Sequence, residues 1–162
     1  MSTLKTNAIQ TIAGKPILNS TGSVLQIVNA NTNGTSGEIT TTSASYVSSS
    51  LGITITPISA SSKLFVQWSG NVKFFGGSGD DGMSLRIYRD GNSLTTTNDN
   101  LFYRSDGNGN NHHTNATINH YVNANSTSPT TFAIHFQNAW GGSGVISRDW
   151  GTCQFTVWEI SA

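Results

Sequence analysis

Apolar and polar residues alternate with a period of two along most of this 162-residue chain, and helical spacing is nearly absent. "GEITTTSASYVSS" and "LGITITP" alternate hydroxyl with β-branched side chains up to Pro57, a residue that cannot sit in mid-sheet. "SSKLFVQWSGNVKFFGG" places Leu64, Val66 and Trp68 on one face. "GMSLRIYRDGNSLTTT" reads as a hairpin, with Leu85 and Ile87 facing one way and Arg86 and Tyr88 the other. Asp90-Gly91 supplies its tight turn, because these residue types accept a positive φ cheaply. "NLFYRS" is a short strand and "SDGNGNNHH" a polar loop. "TNATINHYVNAN", "TTFAIHFQNAW" and "CQFTVWEIS" alternate again. About eight to ten short strands, with turn signals every 8–12 residues, predict an antiparallel β-sandwich or jelly roll.

The first 28 residues differ. In "STLKTNAIQTIAGKPILNSTGSVLQIV" the apolar residues Leu4, Ile9, Ile12, Ile17 and Leu18 stand apart, separated by Lys5, Asn7, Gln10, Thr11, Gly14 and Lys15. A secretory leader needs an apolar run of about 7–15 residues, and a membrane span about 20, and neither run is present. Gly14 and Pro16 interrupt any helix. The remaining reading is an extended arm with a "GKP" turn, ending in the strand "SVLQIV". Twenty extended residues reach roughly 65 Å. With so little apolar surface to bury, such an arm gains order from a neighbour.

Several strands carry apolar groups on both faces. Phe65 opposes Leu64 and Val66, Tyr121 opposes Ile118 and Val122, and Trp158 with Ile160 opposes Phe155 and Val157. A lone sandwich wants one polar face per strand, so a second apolar face predicts a cover, of which a homo-oligomer is the simplest. Charge changes the picture by its scarcity. Charged residues make up 10% of the chain and balance to zero, which supplies no electrostatic footprint for nucleic acid or an anionic membrane. Ser and Thr form roughly a quarter of the chain, so hydroxyls and amides solvate the surface. The single cysteine, Cys153, lies in an alternating apolar run and reads as a buried, inert thiol.

The arm "LKTNAIQTIAGKPILNSTGS", the stretch "ITPISASSKLFVQWSG", then "LRIYRDGNSL" and the terminal "CQFTVWEIS" together resemble small structural proteins of tailed phages, cyanophages especially. In these a short N-terminal attachment segment precedes a knob similar to the C1q and tumour-necrosis-factor jelly rolls. The resemblance implies a homotrimer, a place in the virion, no enzymatic activity, and an arm held by another virion protein through Leu4, Ile9, Ile12, Pro16, Ile17 and Leu18. It implies three parts: arm 1–28, linker 29–34 and jelly-roll knob 35–162.

Catalytic and metal chemistry finds few footholds. His112 and His113 are neighbours in an extended polar segment, so their rings point apart. "DGNGN" echoes half of a calcium loop without the glutamate at its twelfth position. His120 shares a face with Ile118 and Val122, and His135 lies opposite Phe132, Ile134 and Phe136. No "GxSxG" elbow supports a serine nucleophile, and "GGSGDDG" and "GGSG" lack the lysine of a phosphate loop. The expectation is a protein that is not an enzyme and that needs no cofactor and no metal.

Binding is better supplied. "FFGGSGDDGM", "YRSDGNGNNHH" and "NAWGGSGVISRDW" each combine an aromatic, glycines and hydrogen-bonding side chains, and loops at one end of a sandwich are where such folds place recognition. Tyr103, Trp140, Arg148, Asp149 and Trp150 offer platforms and planar partners for a sugar, while Asp106, Asn108, Asn110, Asn111, His112 and His113 form an exposed contact. The expected function is a short trimeric virion fibre whose knob contacts host-surface glycan. A capsid decoration protein stabilising the head is the alternative, and a secreted C1q-like lectin the third. Expected partners are a second and third copy of the chain, the virion protein that grips the arm, and host glycan, with neither nucleic acid nor membrane insertion.

Overall fold

A computed structural model describes residues 21–32, 37–76, 81–96, 100–104, 111–138, 140–147 and 151–162. The expected attachment residues Leu4, Ile9, Ile12, Pro16, Ile17 and Leu18 lie outside them, as do Asp106, Asn108, Asn110, Arg148, Asp149 and Trp150. Among the described residues there are eleven strands and no helix. They are β1 (Val24–Thr32), β2 (Glu38–Thr41), β3 (Val47–Ile55), β4 (Lys63–Phe75), β5 (Asp81–Arg89), β6 (Asn92–Ser93), β7 (Asn100–Arg104), β8 (His112–Asn123), β9 (Thr130–Asn138), β10 (Ser143–Ser147) and β11 (Cys153–Ile160).

All pairings are antiparallel and fall into two sheets. In the first, β4 is central: β8 pairs along one side, while β11 and then β10 share the other, flanked by β1 and β2. The second runs β3-β9-β5, with β6 and β7 both on the far side of β5. Setting aside β2, β6 and β10, the remaining eight strands occupy the sheets in the order first, eighth, third, sixth and second, seventh, fourth, fifth. That is jelly-roll connectivity.

Period-two alternation produces the core directly. Leu64, Val66, Trp68, Val72 and Phe74 of β4 are buried, and face Met83, Leu85 and Ile87 of β5 with Phe132, Ile134 and Phe136 of β9. Burying each such side chain stabilises the fold by about 1.5–3 kcal/mol. Cys153, 2% exposed, packs into this core beside Gly70, where any added Cβ would lie 2.7 Å from its sulfur. The expected hairpin turn is present: Asp90 and Gly91 have φ of 50° and 81°. Its Asp90 carboxylate accepts hydrogen bonds from the Thr130 hydroxyl at 2.5 Å and the Thr131 N–H at 2.8 Å, which ties the turn to β9.

The strand placed at the end of the arm continues to Thr32, through residues expected as linker, and pairs with β11 from Val24↔Ile160 to Thr32↔Cys153. Val28 and Ala30 pack on the core, so this segment has the apolar partner that its isolated sequence does not reveal.

The end of the sandwich where Gly22 meets Ser161 is closed by a carboxylate. Glu159 follows Phe155 and Val157 on the core-facing side of β11 and is fully buried. Its oxygens accept from the Ser62 hydroxyl (2.6 Å), the Gln26 amide (2.6 Å) and the N–H groups of Ile58 (2.9 Å) and Ser59 (3.0 Å). Burial by itself would raise the pKa of this carboxyl, but the four donors outweigh it and hold Glu159 below its usual value. A folded-state pKa below the unfolded one stabilises the protein above the unfolded value, and that stability is lost as pH falls through the folded value. Glu159→Gln is therefore expected to lower the unfolding free energy by about 1–3 kcal/mol at pH 7. In urea titrations the gap between wild type and variant should narrow progressively below the ordinary glutamate value of 4.5. A gap independent of pH between 7 and 3 would show that the carboxylate charge contributes nothing.

Candidate functional site

Six strand ends meet at the end of the sandwich opposite Glu159. Strand β4 ends there and β5 begins, β7 ends and β8 begins, and β9 ends and β10 begins. The register places them together: Asp81 pairs with Arg104, Phe74 with His112, Phe75 with Ser143, and Met83 with Asn138. The other end carries the Asp90-Gly91 turn and the first described residues, where the Gly22 N–H donates to the Ser161 carbonyl at 2.9 Å. Thirteen residues of β4 separate the two ends by about 40 Å.

One asparagine builds the exposed part of the site. The Asn138 side chain, 6% exposed, accepts from the N–H groups of Trp140 (3.2 Å) and Gly141 (3.0 Å) and donates to the Gly142 carbonyl (2.6 Å). Its own N–H donates to the Ser43 carbonyl at 2.8 Å, which fixes the turn to the link between β2 and β3. Trp140 projects from this turn, 41% exposed, with its indole lying over Gly82. A Cβ on Gly82 would sit 2.8 Å from the indole and 2.3 Å from the Phe102 carbonyl oxygen, so only glycine permits this approach. Beneath the surface Phe102 stacks with Phe74 (centroids 6.4 Å), and Phe74 meets the His112 ring at 5.0 Å.

Five of the expected site residues are among those described. Trp140, Asn111 and His112 lie at this end, all exposed. His112 and His113 open β8 rather than lying in the loop, and their rings take opposite faces, His112 against Phe74 and His113 on the side of Lys73. Tyr103 is a β7 residue paired with Gly82. The ends of the segment holding Arg148, Asp149 and Trp150 lie elsewhere: Ser147 pairs with Asn71, and Gly151 and Thr152 line a cleft with Ser69, Gly70 and Asn115. Arg148, Asp149 and Trp150 themselves lie outside the described residues. Among the described residues no three His, Cys, Asp or Glu are placed to hold a metal ion, and no helix is long and apolar enough to cross a membrane.

Sequence reading missed Asn138, Gly82 and Phe102 as builders of the site. The "NAWGG" string carries an available signal, since Asn before a glycine pair is suited to a side-chain-capped turn. A second cluster was also missed, on the outer face of the second sheet. The Arg86 guanidinium lies 4.2 Å over the Tyr46 ring, Tyr88 stacks on His135 at 3.8 Å, and the Tyr46 hydroxyl donates to the Ser84 hydroxyl at 3.0 Å. Burial lowers the pKa of His135, favouring its neutral form.

No protein-family model matches the chain, and neither does any curated protein. Among solved structures the chain is similar to infectious bursal disease virus Gt strain, with 14% identity and a TM-score of 0.46 over 96% of this chain and 43% of that one. The structure of T=1 particles derived from infectious bursal virus gives 13% identity and 0.45 over 96% and 41%. Dimeric latent PorU from Porphyromonas gingivalis gives 11% identity and 0.40 over 92% and 15%. The chain thus spans less than half the length of each of these neighbours, and likeness at this level does not bear on function.

Asn138→Ala removes all three side-chain hydrogen bonds of the turn. It is expected to destabilise the protein by about 1–3 kcal/mol in chemical denaturation. It should also shift and broaden the Trp140 indole resonance in a ¹H–¹⁵N spectrum, with Trp140→Phe identifying that peak. An unchanged indole resonance would show that Asn138 does not hold Trp140.

Proposed function

We propose that the chain is a non-enzymatic structural protein of a virion. It assembles as a homotrimer, is attached through its N-terminal arm, and contacts a neutral glycan on the host surface with the end that carries Trp140. The observation that carries this reading is the bipolar layout. The described chain starts at one end of the sandwich, beside Ser161, while Trp140, Asn111 and His112 are displayed about 40 Å away at the other. A tethered contact protein needs that separation, because attachment and recognition then do not compete for surface. The chemistry at the far end also suits a sugar: an exposed indole for stacking against C–H groups, with carboxamide and imidazole groups for hydroxyls. The resemblance of the arm and knob sequences to tailed-phage structural proteins supports the virion setting.

Immunogold labelling of intact particles with antibody against the sandwich tests the location. Label at the tail or its fibres is expected. Label over the whole shell would instead make this a capsid decoration protein, and no label would leave the virion reading without support. The contact is tested with the purified full-length chain on host cells and on host polysaccharide. Binding at micromolar concentration is expected, with Trp140→Ala weakening it by about tenfold. Absence of binding to both would overturn the adhesive role.

A further inference from the structure

The outer face of the second sheet holds a half-buried cluster of Tyr46, Arg86, Tyr88 and His135. His135 of β9 stands directly opposite Arg86 of β5 on one side and Ser48 of β3 on the other. Its ring stacks on Tyr88, the diagonal neighbour, with planes 14° from parallel. Its Nδ1 atom is buried and has no hydrogen-bond partner among the described residues. The Arg86 guanidinium in turn lies over the ring of Tyr46, the last residue of the link 42–46 between β2 and β3.

Charge decides what this arrangement tolerates. Side chains directly opposite in an antiparallel pair have Cβ atoms about 5 Å apart, and like charges there are destabilising. The charged and titratable groups around His135 are Arg86 and Tyr88 from β5 and Tyr46 from the link, while β3 presents Ser48, Gly52 and Thr54. None is an acid. Of the carboxylates at the two ends of β5, Asp81 is fully buried and Asp90 is engaged by Thr130 and Thr131. An imidazolium at position 135 would therefore face a guanidinium with nothing to compensate it. Stacking on Tyr88 favours the cation only weakly. The link that carries Tyr46 also carries Ser43, whose carbonyl accepts the Asn138 N–H at 2.8 Å. Asn138 holds the turn from which Trp140 projects.

We propose that His135 is an acid-sensitive latch on this link: a proton on its imidazole drives the Arg86 guanidinium off Tyr46, frees the link and loosens the Trp140 turn held through Ser43 and Asn138. This rests on the reading of the Trp140 end as the contact surface and adds a regulation to it, firm near neutrality and weakened in mild acid. The sign follows from burial, which lowers the pKa of His135. A histidine whose folded pKa lies below its unfolded one leaves stability intact at higher pH, and stability is lost as pH falls from the ordinary 6.5 through the folded value.

Spectra in ¹H–¹⁵N of the full-length chain between pH 7.5 and 5 test the latch. The amides of Ser43, Ser45 and Tyr46 and the Trp140 indole are expected to shift together, with the midpoint of the His135 ring and below 6.5. His135→Gln, neutral throughout, should hold them all at their positions of pH 7.5. Arg86→Gln should bring the His135 midpoint closer to 6.5 and uncouple the link amides from it. Link amides that stay fixed while His135 titrates would overturn the proposal. So would a Trp140 shift that keeps its midpoint in His135→Gln, since it would belong to His112. On host cells, wild type should bind about tenfold more weakly at pH 5 than at pH 7.5, and His135→Gln equally at both. Wild-type binding that is the same at both pH values would count against the latch alone. A spectral transition without binding at either pH would count against the adhesive reading alone.

Discussion

The uninterrupted pairing of β4 is the constraint on which the rest of the molecule depends. Its thirteen residues pair with β8 from Lys63 to Phe74 on one side, and with β11 and then β10 on the other. One strand therefore carries three others, and it fixes both the height of the sandwich and the positions of its two ends. Leu64, Val66, Trp68, Val72 and Phe74 give the whole length of β4 an apolar inner face, so the register cannot slip by one residue without exposing all of them. The handover from β11 to β10 occurs around Gly70, where close contact with Trp68 and Cys153 leaves no room for a side chain.

From that frame the two ends acquire different chemistry. One is sealed by Glu159, whose carboxylate gathers four donors from β1 and from the link between β3 and β4. A buried carboxylate is tolerated only with such a complete set of partners. At the other, Asn138 replaces regular backbone pairing and Trp140 is held outward over Gly82. A closed end beside the Gly22–Ser161 hydrogen bond and an end that exposes Trp140 opposite it follow from one topological fact, the direction in which β4 runs.

Much of this was legible in the chain itself, because alternation of apolar and polar residues is a local property. The hairpin at Asp90-Gly91, the inward set of β4, the outward placement of Tyr121 and Trp158, and the divergence of His112 and His113 follow from period-two geometry and turn chemistry. The extent of β1 was not legible, since its partner β11 lies more than a hundred residues away and Asn29 and Asn31 have weak strand preferences. The heights at which the candidate contact segments leave the sheet were not legible for a related reason. Segments alike in composition enter the sheet at different heights, and height is set by pairing register.

The sequence by itself determined the class of fold, the composition of the core, the neutral hydroxyl- and amide-rich surface, and the existence of strands apolar on both faces. These are sums of local preferences and of the free energy of burying apolar area. The tertiary structure alone decided that Ile27, Trp158, Phe65 and Tyr121 stand in one row, that Gln26, Ile58, Ser59 and Ser62 meet at Glu159, and that Trp140 lies over Gly82. Each depends on the register between strands distant in the chain. That register is settled cooperatively, when the whole core closes at once, and no single segment carries it.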